Sequence, residues 1–327
     1  MKDIYFEPNY GKLYEDVEGG ESVFYEFSND DGSITHLFIK KEIPIDTGDG
    51  TPYYDITTPY GYGGPIINEV QEGKEEELVQ AYHDDFKDYC QAHHIVSEFI
   101  RFHPVLGNQK QFESIYDVEF YKKTTGTNLK DFDDPFQEEF SKSTRKRSRR
   151  ALRDGVTYEV IEQPQSLDDF IEIYYETMDR NDAADIYYFD RNYFDKCLDY
   201  FSDHMIIIKA IYEDKTIAMG TYFVYGKYIH SHLFGTLDDY LDLSPAYVIG
   251  YALTQWGKEK GYHLVHDGGG TSTDENDSLY RFKKKFGKHT EFDYYLAKQI
   301  WNHDVYEKLC EETASEQSAS HFPAYRN

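Results

Sequence analysis

The sequence has few cysteines and no long apolar segment. Only three of its 327 residues are cysteine, at positions 90, 197 and 310. Their wide separation matches neither a zinc-binding nor a disulfide pattern, and it fits a reducing compartment. No apolar run approaches the roughly 20 residues that a membrane span requires. The N-terminal sequence MKDIYFEP lacks the apolar core of a signal peptide, so we predict a cytoplasmic protein without a transmembrane segment.

Positive charge is also scarce. The chain has 34 Lys and Arg against 61 Asp and Glu, a formal net charge of −27, and a uniformly acidic surface repels nucleic acid and anionic lipid. The charge is uneven, however. Residues 1–140 contain 30 acidic and 11 basic residues, whereas Lys142–Arg153 contains seven basic residues and no acidic one. This segment is therefore where the sequence favours contact with phosphate.

A helix is predicted around this basic segment, from Asp134 and Pro135 to a stop at Gly155. Asp134 is a suitable N-cap, proline is tolerated in the first helical turn, and glycine favours a helix end. The helix dipole stabilises acidic residues near the start and basic residues near the end by up to about 1 kcal/mol each. Two interpretations of the cations stay open: dipole stabilisation alone, or a phosphate-bearing partner. We favour the partner, because seven cations exceed what the dipole needs.

The first half of the chain predicts strands and one helix around a tyrosine-rich loop. Strands are expected over 21–28, 33–43, 95–102 and 117–124, with a helix over 75–93. The loop, Tyr53–Pro65, is rich in glycine, proline and tyrosine and is expected to form no regular element. It forms either a structural plug or a wall of a substrate channel, since ordered tyrosine-rich loops often bind ligands. Arg101 and His103 are expected to project to one side at the end of the predicted strand 95–102.

The second half predicts the element order β-α-α-β-β-β-α-β-α-β from Val156 to Ile300. Its centre is the stretch His263–Phe286, in which a short apolar strand is followed by Gly268, Gly269 and Gly270. Asp277 or Ser278 can then cap a helix that carries Lys283. A strand end, a glycine loop and a helix N-terminus favour an anionic or carbonyl-bearing ligand. The alternative is an ordinary turn followed by a solvated basic helix.

Several motifs in order resemble one family. TPYGYGGP, RFHPVLGN, the basic helix ending in RRALRDGV, HSHLFGT, and GGG followed by DSLYRFKKKF are similar to the FemABX-type branch of the GNAT acyltransferase superfamily. Its members carry two GNAT-like halves in one chain, joined by that basic helix. Several of them transfer an amino acid from aminoacyl-tRNA to the peptide amine of a peptidoglycan precursor, in the formation of interpeptide bridges.

The resemblance implies an α+β fold with mixed sheets and tandem GNAT-like domains joined by a long basic helix. Residues 1–134 would form a degenerate N-terminal half and residues 135–155 the connecting helix. Residues 156–312 would form the C-terminal GNAT-like half, followed by a flexible tail over 313–327. The resemblance also implies a cytoplasmic acyltransferase of peptidoglycan or cell-wall biosynthesis, which we expect to be a monomer.

Candidate roles follow for individual residues, for Lys283 from the resemblance and for Asp267 and His232 from their predicted positions, although many relatives carry an apolar residue in place of Asp267. Lys283 would stabilise the oxyanion or hold the donor's phosphate, unless it is one more surface lysine. Asp267 is a candidate base, and His232 a polar contact or proton relay. His230 and His232 lie two apart on one strand face, but no third ligand is evident, so no metal is predicted. The residues expected to bind substrate are Tyr60, Tyr62, Gly63, Gly64, Arg101, His103, Arg147, Arg150, Tyr187, Tyr188, His230, Gly268, Gly269, Gly270 and Phe282.

The expected acyl donor follows from a departure from CoA-dependent relatives. Where they carry a glycine-rich pyrophosphate loop, this chain has the acidic segment Asp238–Pro245, which offers few amides and repels phosphate. We therefore expect no bound cofactor and aminoacyl-tRNA, held through the basic helix, as co-substrate. The acceptor would be a nucleotide- or lipid-linked cell-envelope precursor. Two alternatives stay open: an acyl-CoA-dependent N-acyltransferase acting on surface polysaccharide or a metabolite, and a catalytically silent protein that binds an envelope precursor.

Overall fold

The computed structural model describes residues 3–48, 50–315 and 321–326. Within these ranges no helix combines the length and the apolar character needed to cross a membrane. The α-helices are α1 (Pro8–Glu18), α2 (Glu75–Ala92), α3 (Gln109–Phe112), α4 (Pro135–Glu138), α5 (Lys142–Arg153), α6 (Asp168–Arg180), α7 (Arg191–Phe201), α8 (Pro245–Glu259), α9 (Ser278–Lys283) and α10 (His303–Glu312). The strands are β1 (Glu21–Asn29), β2 (Gly32–Glu42), β3 (Tyr54–Thr57), β4 (Ile66–Val70), β5 (Ile95–Arg101), β6 (Val118–Asn128), β7 (Thr157–Glu162), β8 (Met205–Tyr212), β9 (Lys215–Tyr225), β10 (Tyr228–Thr236), β11 (Leu264–Gly268) and β12 (Glu291–Ile300).

The chain forms two compact units. The central unit comprises Met1–Ile4 and Lys122–Phe292, and the terminal unit comprises Tyr5–Tyr121 and Asp293–Asn327. Their limits fall within β6 and β12 rather than at residues 134 and 155, where the sequence placed them. The reason is that β12 forms an antiparallel ladder with β5. The hydrogen bonds of that ladder attach the C-terminal part of the chain to the terminal unit.

The terminal unit contains a mixed sheet with the strand order β1-β2-β3-β5-β12, and β4 also pairs with β2. Helix α2 buries Leu78, Tyr82 and Phe86 in a core that includes Ile100 of the sheet. These residues recur at intervals of four, so they lie on one face of the helix. Strand β3 lies within the loop expected to be irregular, because it pairs with β2 on one side and β5 on the other.

The described end of the chain is packed, not flexible. Ala324 and Tyr325 are buried in a cluster with Tyr306 and Ile43. The Arg326 Nε donates to Asp55 Oδ2 at 2.6 Å, and the Tyr325 hydroxyl donates to the same carboxylate. The prediction of a flexible tail is thus wrong for residues 321–326, because an aromatic anchor and a buried ion pair hold them. Residues 316–320 lie outside the described ranges.

The central unit contains a sheet with the order β6-β11-β10-β9-β8-β7. Strands β10 and β11 of this sheet pair in parallel, and helix α8 makes the crossover between them. The apolar residues Val248, Ile249 and Ala252 of α8 pack into the core of this sheet. The predicted order of elements from β7 to β12 is confirmed, and so is the α+β fold class.

The predicted continuous basic helix is wrong. The chain forms the short helix α4 and then α5, separated at Glu139–Ser141. Ser141 has extended backbone angles and caps α5, its Oγ accepting from the Thr144 amide at 3.2 Å. The Arg145 guanidinium donates to the Gln137 carbonyl at 2.7 Å and to that of Phe140, which satisfies carbonyls at the end of α4. Phe140 is fully buried among aromatic residues, and its burial fixes the break.

Candidate functional site

The candidate site lies where two parallel strands separate. Strands β10 and β11 pair over three residues only, Tyr228–His230 with Leu264–His266. Immediately beyond, β10 has a register shift between Ser231 and Leu233 against β9. Strand β11 has another between His266 and Gly268 against β6. Bulges of this kind end regular pairing and redirect side chains. Ser231 and Asp267 are the next residues of β10 and β11 beyond the paired segment, and their side chains meet there.

Asp267 has the properties of a base in this opening. The Ser231 hydroxyl donates to its Oδ1 at 2.6 Å. Burial raises the pKa of the Asp267 carboxyl to about 6, against the opposing effects of the Ser231 hydrogen bond and the Lys283 charge. Because this pKa lies below neutrality, the group is ionised at pH 7 and yet basic enough to accept a proton. The role of Asp267 as a base stays a prediction.

Lys283 lies beside Asp267 at the end of the short helix α9. Its Nζ donates to the Gly269 carbonyl at 2.9 Å. Burial lowers the pKa of the Lys283 ammonium, while the nearby Asp267 carboxylate opposes that effect. A partly buried ammonium that faces a carboxylate and a peptide carbonyl is not a surface lysine serving solubility. It is positioned to donate a hydrogen bond to a substrate oxygen.

The glycine loop, Gly268–Gly270, is organised differently from the expected cradle of amides. Asp277 caps α9 and its Oδ2 accepts from the Thr271 and Ser272 amides at 3.0 and 3.1 Å. These hydrogen bonds, with that from the Tyr280 amide first among them, hold the pKa of Asp277 well below its usual range. A Cβ atom at Gly270 would overlap the Asp277 carboxylate, so glycine is required there. The loop thus offers the Gly269 and Gly270 carbonyls to lysines, while the next two amides are already bonded.

The two histidines of β10 lie in different surroundings. His230 Nε2 is 2.9 Å from the Asp3 carboxylate, whereas His232 Nε2 is 2.9 Å from the Tyr193 hydroxyl. Both histidines neighbour Phe223 of β9, in agreement with the predicted common face: His230 is its directly opposite strand partner, and the His232 ring lies 4.5 Å from the Phe223 ring. Burial lowers the pKa of His232 to about 3, so its imidazole is neutral at pH 7. His232 can accept or donate a hydrogen bond, but its imidazole is not positively charged at neutral pH.

Three aromatic residues predicted to bind substrate have structural contacts in the central unit. The Tyr187 carbonyl accepts from the Tyr174 hydroxyl at 2.6 Å. The exposed Tyr188 donates its hydroxyl to Asp179 at 3.0 Å. Phe282 packs edge-on against an aromatic ring of the cluster around the helix break, with 5.7 Å between the Phe282 and Tyr247 centroids. These contacts account for their positions without a substrate.

Six of the residues predicted to bind substrate belong to the terminal unit. They are Tyr60, Tyr62, Gly63, Gly64, Arg101 and His103. Arg101 pairs with Glu18 at 3.3 Å and donates to the Thr58 carbonyl. Gly64 has a φ of +79°, and a Cβ there would press on Ile100. His103 Nδ1 accepts from the Leu106 amide at 3.2 Å. Tyr60 is exposed, and Tyr62 packs edge-on against Tyr294.

A second feature of the central unit is a cavity of about 280 Å³ between α5 and the start of α8. Arg147, Arg150, Asp154, Asp242 and Ser244 contribute to its lining. The Arg147 guanidinium is 3.0 Å from the Tyr247 hydroxyl, and Arg150 pairs with Asp154 at 3.2 Å. Two cations and two carboxylates surround this cavity. It therefore offers single phosphate contacts and disfavours a compact, highly charged pyrophosphate.

Two residues near Asp267 and Lys283 were missed by sequence reasoning. Ser231 lies between the two histidines in the sequence, so regular alternation along β10 places its side chain on the opposite face of the strand. A cleft predicted from the histidine face therefore did not include Ser231. Lys122 lies on β6, in the sequence KKTTGT, and its Nζ donates to the Gly270 carbonyl at 2.7 Å. Nothing local distinguishes either residue. Their roles arise from strand pairing.

The comparisons with known proteins agree with this fold. Residues 138–284 match the family model described as an acetyltransferase (GNAT) domain, and no curated protein matches the chain. The crystal structure of FemX has a TM-score of 0.70 at 14% identity, over 93% of this chain and 94% of that one.

Two further structures share the fold at the same 14% identity. The C-terminal domain of a putative lysylphosphatidylglycerol synthetase from Agrobacterium fabrum has a TM-score of 0.57, over 92% of this chain and 90% of that one. L-PGS from Bacillus licheniformis has a TM-score of 0.56, over 95% and 98%. Residues 138–284 therefore match a GNAT acetyltransferase domain, and the chain shares the fold of FemX, the fold that the resemblance to the FemABX-type branch implies.

Proposed function

We propose that this acyltransferase moves an aminoacyl group from aminoacyl-tRNA to an amine of a cell-envelope precursor. The observation that carries the proposal is the position of Asp267, hydrogen-bonded by Ser231 and beside the Lys283 ammonium, where β10 and β11 separate. This arrangement supplies a base and an electrostatic donor within the acyltransferase domain. Both are what transfer of an acyl group to an amine requires.

The reaction can be written with these side chains alone. The neutral amine of the acceptor attacks the ester carbonyl carbon of the donor, and a C–N bond forms. Asp267 takes the proton that the amine loses, and Lys283 donates a hydrogen bond to the oxyanion in place of the Gly269 carbonyl. When the intermediate collapses, the ester C–O bond breaks. The protonated Asp267 returns its proton to the departing ribose hydroxyl, so atoms and charges balance.

The choice of an aminoacyl ester over a CoA thioester rests on the segment before α8. Residues Asp238–Leu243 form an acidic 3₁₀ turn, and Ser244 then adopts a left-handed conformation ahead of Pro245. A pyrophosphate would need free amides at this helix N-terminus, but acidic side chains surround it and proline supplies no amide. The separate arginines Arg147 and Arg150 suit the spaced phosphates of a nucleic-acid backbone better.

The direct test is a donor screen. Purified protein is mixed with charged tRNAs or with acyl-CoA thioesters, each with a nucleotide-linked muropeptide or with phosphatidylglycerol vesicles, and the products are read by mass spectrometry. We expect an acceptor to gain the mass of one amino-acid residue only when charged tRNA is present. The lipid acceptor is included because two of the similar structures carry lysylphosphatidylglycerol synthetase or L-PGS as their names.

Two other outcomes correspond to the competing functions. Acylation by a CoA thioester alone would favour an N-acyltransferase that modifies surface polysaccharide or a metabolite. The description of the matched family as an acetyltransferase domain supports that candidate. Tight binding of an envelope precursor without any transfer would indicate a silent binding protein. The retained Asp267 and Lys283 pair counts against that reading.

Donor binding should depend on the arginines of the cavity. Replacing Arg147 and Arg150 with serine removes two phosphate contacts and should lower the slope of log affinity against log salt by about 2. Charged tRNA binding is measured by fluorescence anisotropy from about 50 to about 200 mM salt. Lys142→Ser, which removes one exposed cation at the other end of α5, is the control and should keep the wild-type slope. An affinity that does not vary with salt would rule out phosphate contact.

Ser231 should set the pH range of the reaction. The Ser231 hydrogen bond favours the ionised form of Asp267, so Ser231→Ala should raise its pKa further above 6. The acidic limb of the kcat/KM profile should then move to higher pH, with most of the rate recovered under alkaline conditions. Ser231→Thr keeps the hydroxyl and should retain the wild-type limb. A uniform loss of rate without movement of the limb would show that Ser231 serves folding only.

A further inference from the structure

Two lysines hold consecutive carbonyls of the glycine loop. Lys283 Nζ donates to the Gly269 carbonyl at 2.9 Å, and Lys122 Nζ donates to the Gly270 carbonyl at 2.7 Å. Lys122 comes from β6, 148 residues away along the chain from its partner. Adjacent peptide carbonyls are only a few ångströms apart, so the two ammonium groups lie close together. Both belong to the central unit.

This pairing of cations is electrostatically unfavourable by itself. Burial is the main cause of the lowered pKa of Lys283, and the charge of Lys122 lowers it further. Burial also lowers the pKa of Lys122. The opposing charges are Asp267 on β11 and Asp277 before α9, which raise the pKa of Lys283; Asp277 also raises that of Lys122. The charge of Lys122 disfavours the protonated form of Lys283. A functional role in the site is the simplest explanation for placing a second cation there.

That role follows from what Lys283 must do during transfer. To stabilise an oxyanion, Lys283 has to release the Gly269 carbonyl and turn to the substrate. A loop held by Lys283 alone would lose its anchor at that moment. The Gly270 carbonyl stays bonded to Lys122, and Asp277 still holds the Thr271 and Ser272 amides. The loop therefore keeps its shape while Lys283 changes partner.

We infer that Lys122 is a positioning residue for Lys283: it anchors the glycine loop independently through the Gly270 carbonyl and places a second positive charge close to the Lys283 ammonium. The catalytic consequence rests on the proposed function, but the electrostatic link between the two lysines does not. A stronger acid donates a stronger hydrogen bond to a developing oxyanion. Lys122 acts through Lys283 and the loop, and it makes no contact with the reacting atoms in this scheme.

The test measures Lys283 without any substrate. Competitive labelling with limiting acetic anhydride across a range of pH, read by mass spectrometry, gives the protonation midpoint of Lys283. In Lys122→Met the midpoint should move to higher pH by about one unit, the scale for removing a like charge a few ångströms away. Lys122→Arg keeps the charge and should stay near the wild type. Lys123→Met is the matched control, because Lys123 is exposed and pairs distantly with Glu291 at 3.9 Å.

Activity supplies the second readout. With a donor and acceptor from the screen, the alkaline limb of the Lys122→Met kcat/KM profile should move upwards together with the labelling midpoint. Its kcat at neutral pH should fall about tenfold. Lys122→Arg should restore both, and circular dichroism would confirm that the variants fold. An unchanged Lys283 midpoint in folded Lys122→Met overturns the inference. Absence of transfer by the wild type would instead refute the proposed function, and the labelling result would still decide the role of Lys122.

Discussion

Replacing Lys283 with alanine is expected to lower kcat by roughly two orders of magnitude, the scale for loss of one donor to an oxyanion. Lys283 is the ammonium that lies beside Asp267 and bonds the Gly269 carbonyl. Its removal takes away the cation that we propose donates a hydrogen bond to the oxyanion. The measurement is single-turnover transfer with the donor and acceptor identified by the screen. The affinity for the acceptor should change little, since the interaction forms mainly in the transition state.

Lys284→Ala is the matched control for this prediction. Lys284 is the next residue in the chain and is also partly buried, but its ammonium pairs with Glu291 at 3.4 Å. It lies outside the Asp267 constellation, so its removal should leave kcat within about twofold of the wild type, as for an exposed ion pair. Both variants should unfold near the wild-type temperature. Equal rates for the two variants would remove Lys283 from the mechanism and leave it a structural ligand of the glycine loop.

Asp267→Asn should lower kcat/KM by about 10² to 10⁴, the range for loss of a general base. The amide that replaces the carboxylate has nearly the same shape, so the Ser231 contact and the bulge of β11 can persist. In the wild type, the reaction needs the ionised carboxylate, and kcat/KM should therefore fall as the pH drops through about 6. The variant has no such group, so its residual rate should lack this limb.

The control for Asp267 is Glu275→Gln, which removes one negative charge from an exposed position in the loop before α9. It should retain both the rate and the acidic limb. A kcat/KM profile of Asp267→Asn with the same limb near pH 6 would assign that limb to another group. In that case the acceptor amine would have to lose its proton to solvent or to the substrate itself.

The two largest expected losses of activity thus concern two side chains that act in the same reaction step. Asp267 handles the proton of the amine, and Lys283 handles the charge on the carbonyl oxygen. Environment separates the two roles: burial raises the pKa of the carboxyl and lowers that of the ammonium. The pKa of each group is thereby brought closer to 7, where proton transfer at neutral pH is most effective. The proposal places both inside residues 138–284, the part of the chain that matches the acetyltransferase domain.

The amino-acid sequence by itself determined the order of elements and the neighbourhood of Lys283. Hydrophobic periodicity and turn residues are local properties, and they predicted β7 to β12 in the observed order. The contact between Lys283 and the Gly269 carbonyl spans only 14 residues, so a strand end, a glycine loop and a short helix place the two together. The cap formed by Asp277 is equally local, since it bonds residues five and six positions before it.

The tertiary structure alone decided which other side chains join the site. Ser231 reaches Asp267 across 36 residues, and Lys122 reaches the loop across 148, because three strands lie side by side in the sheet. The register shifts that follow His230 in β10 and His266 in β11 depend on strand pairing, and periodicity within one strand cannot reveal them. The break between α4 and α5 has the same origin: burial of Phe140 among distant aromatic residues outweighs the helical preference of the local sequence.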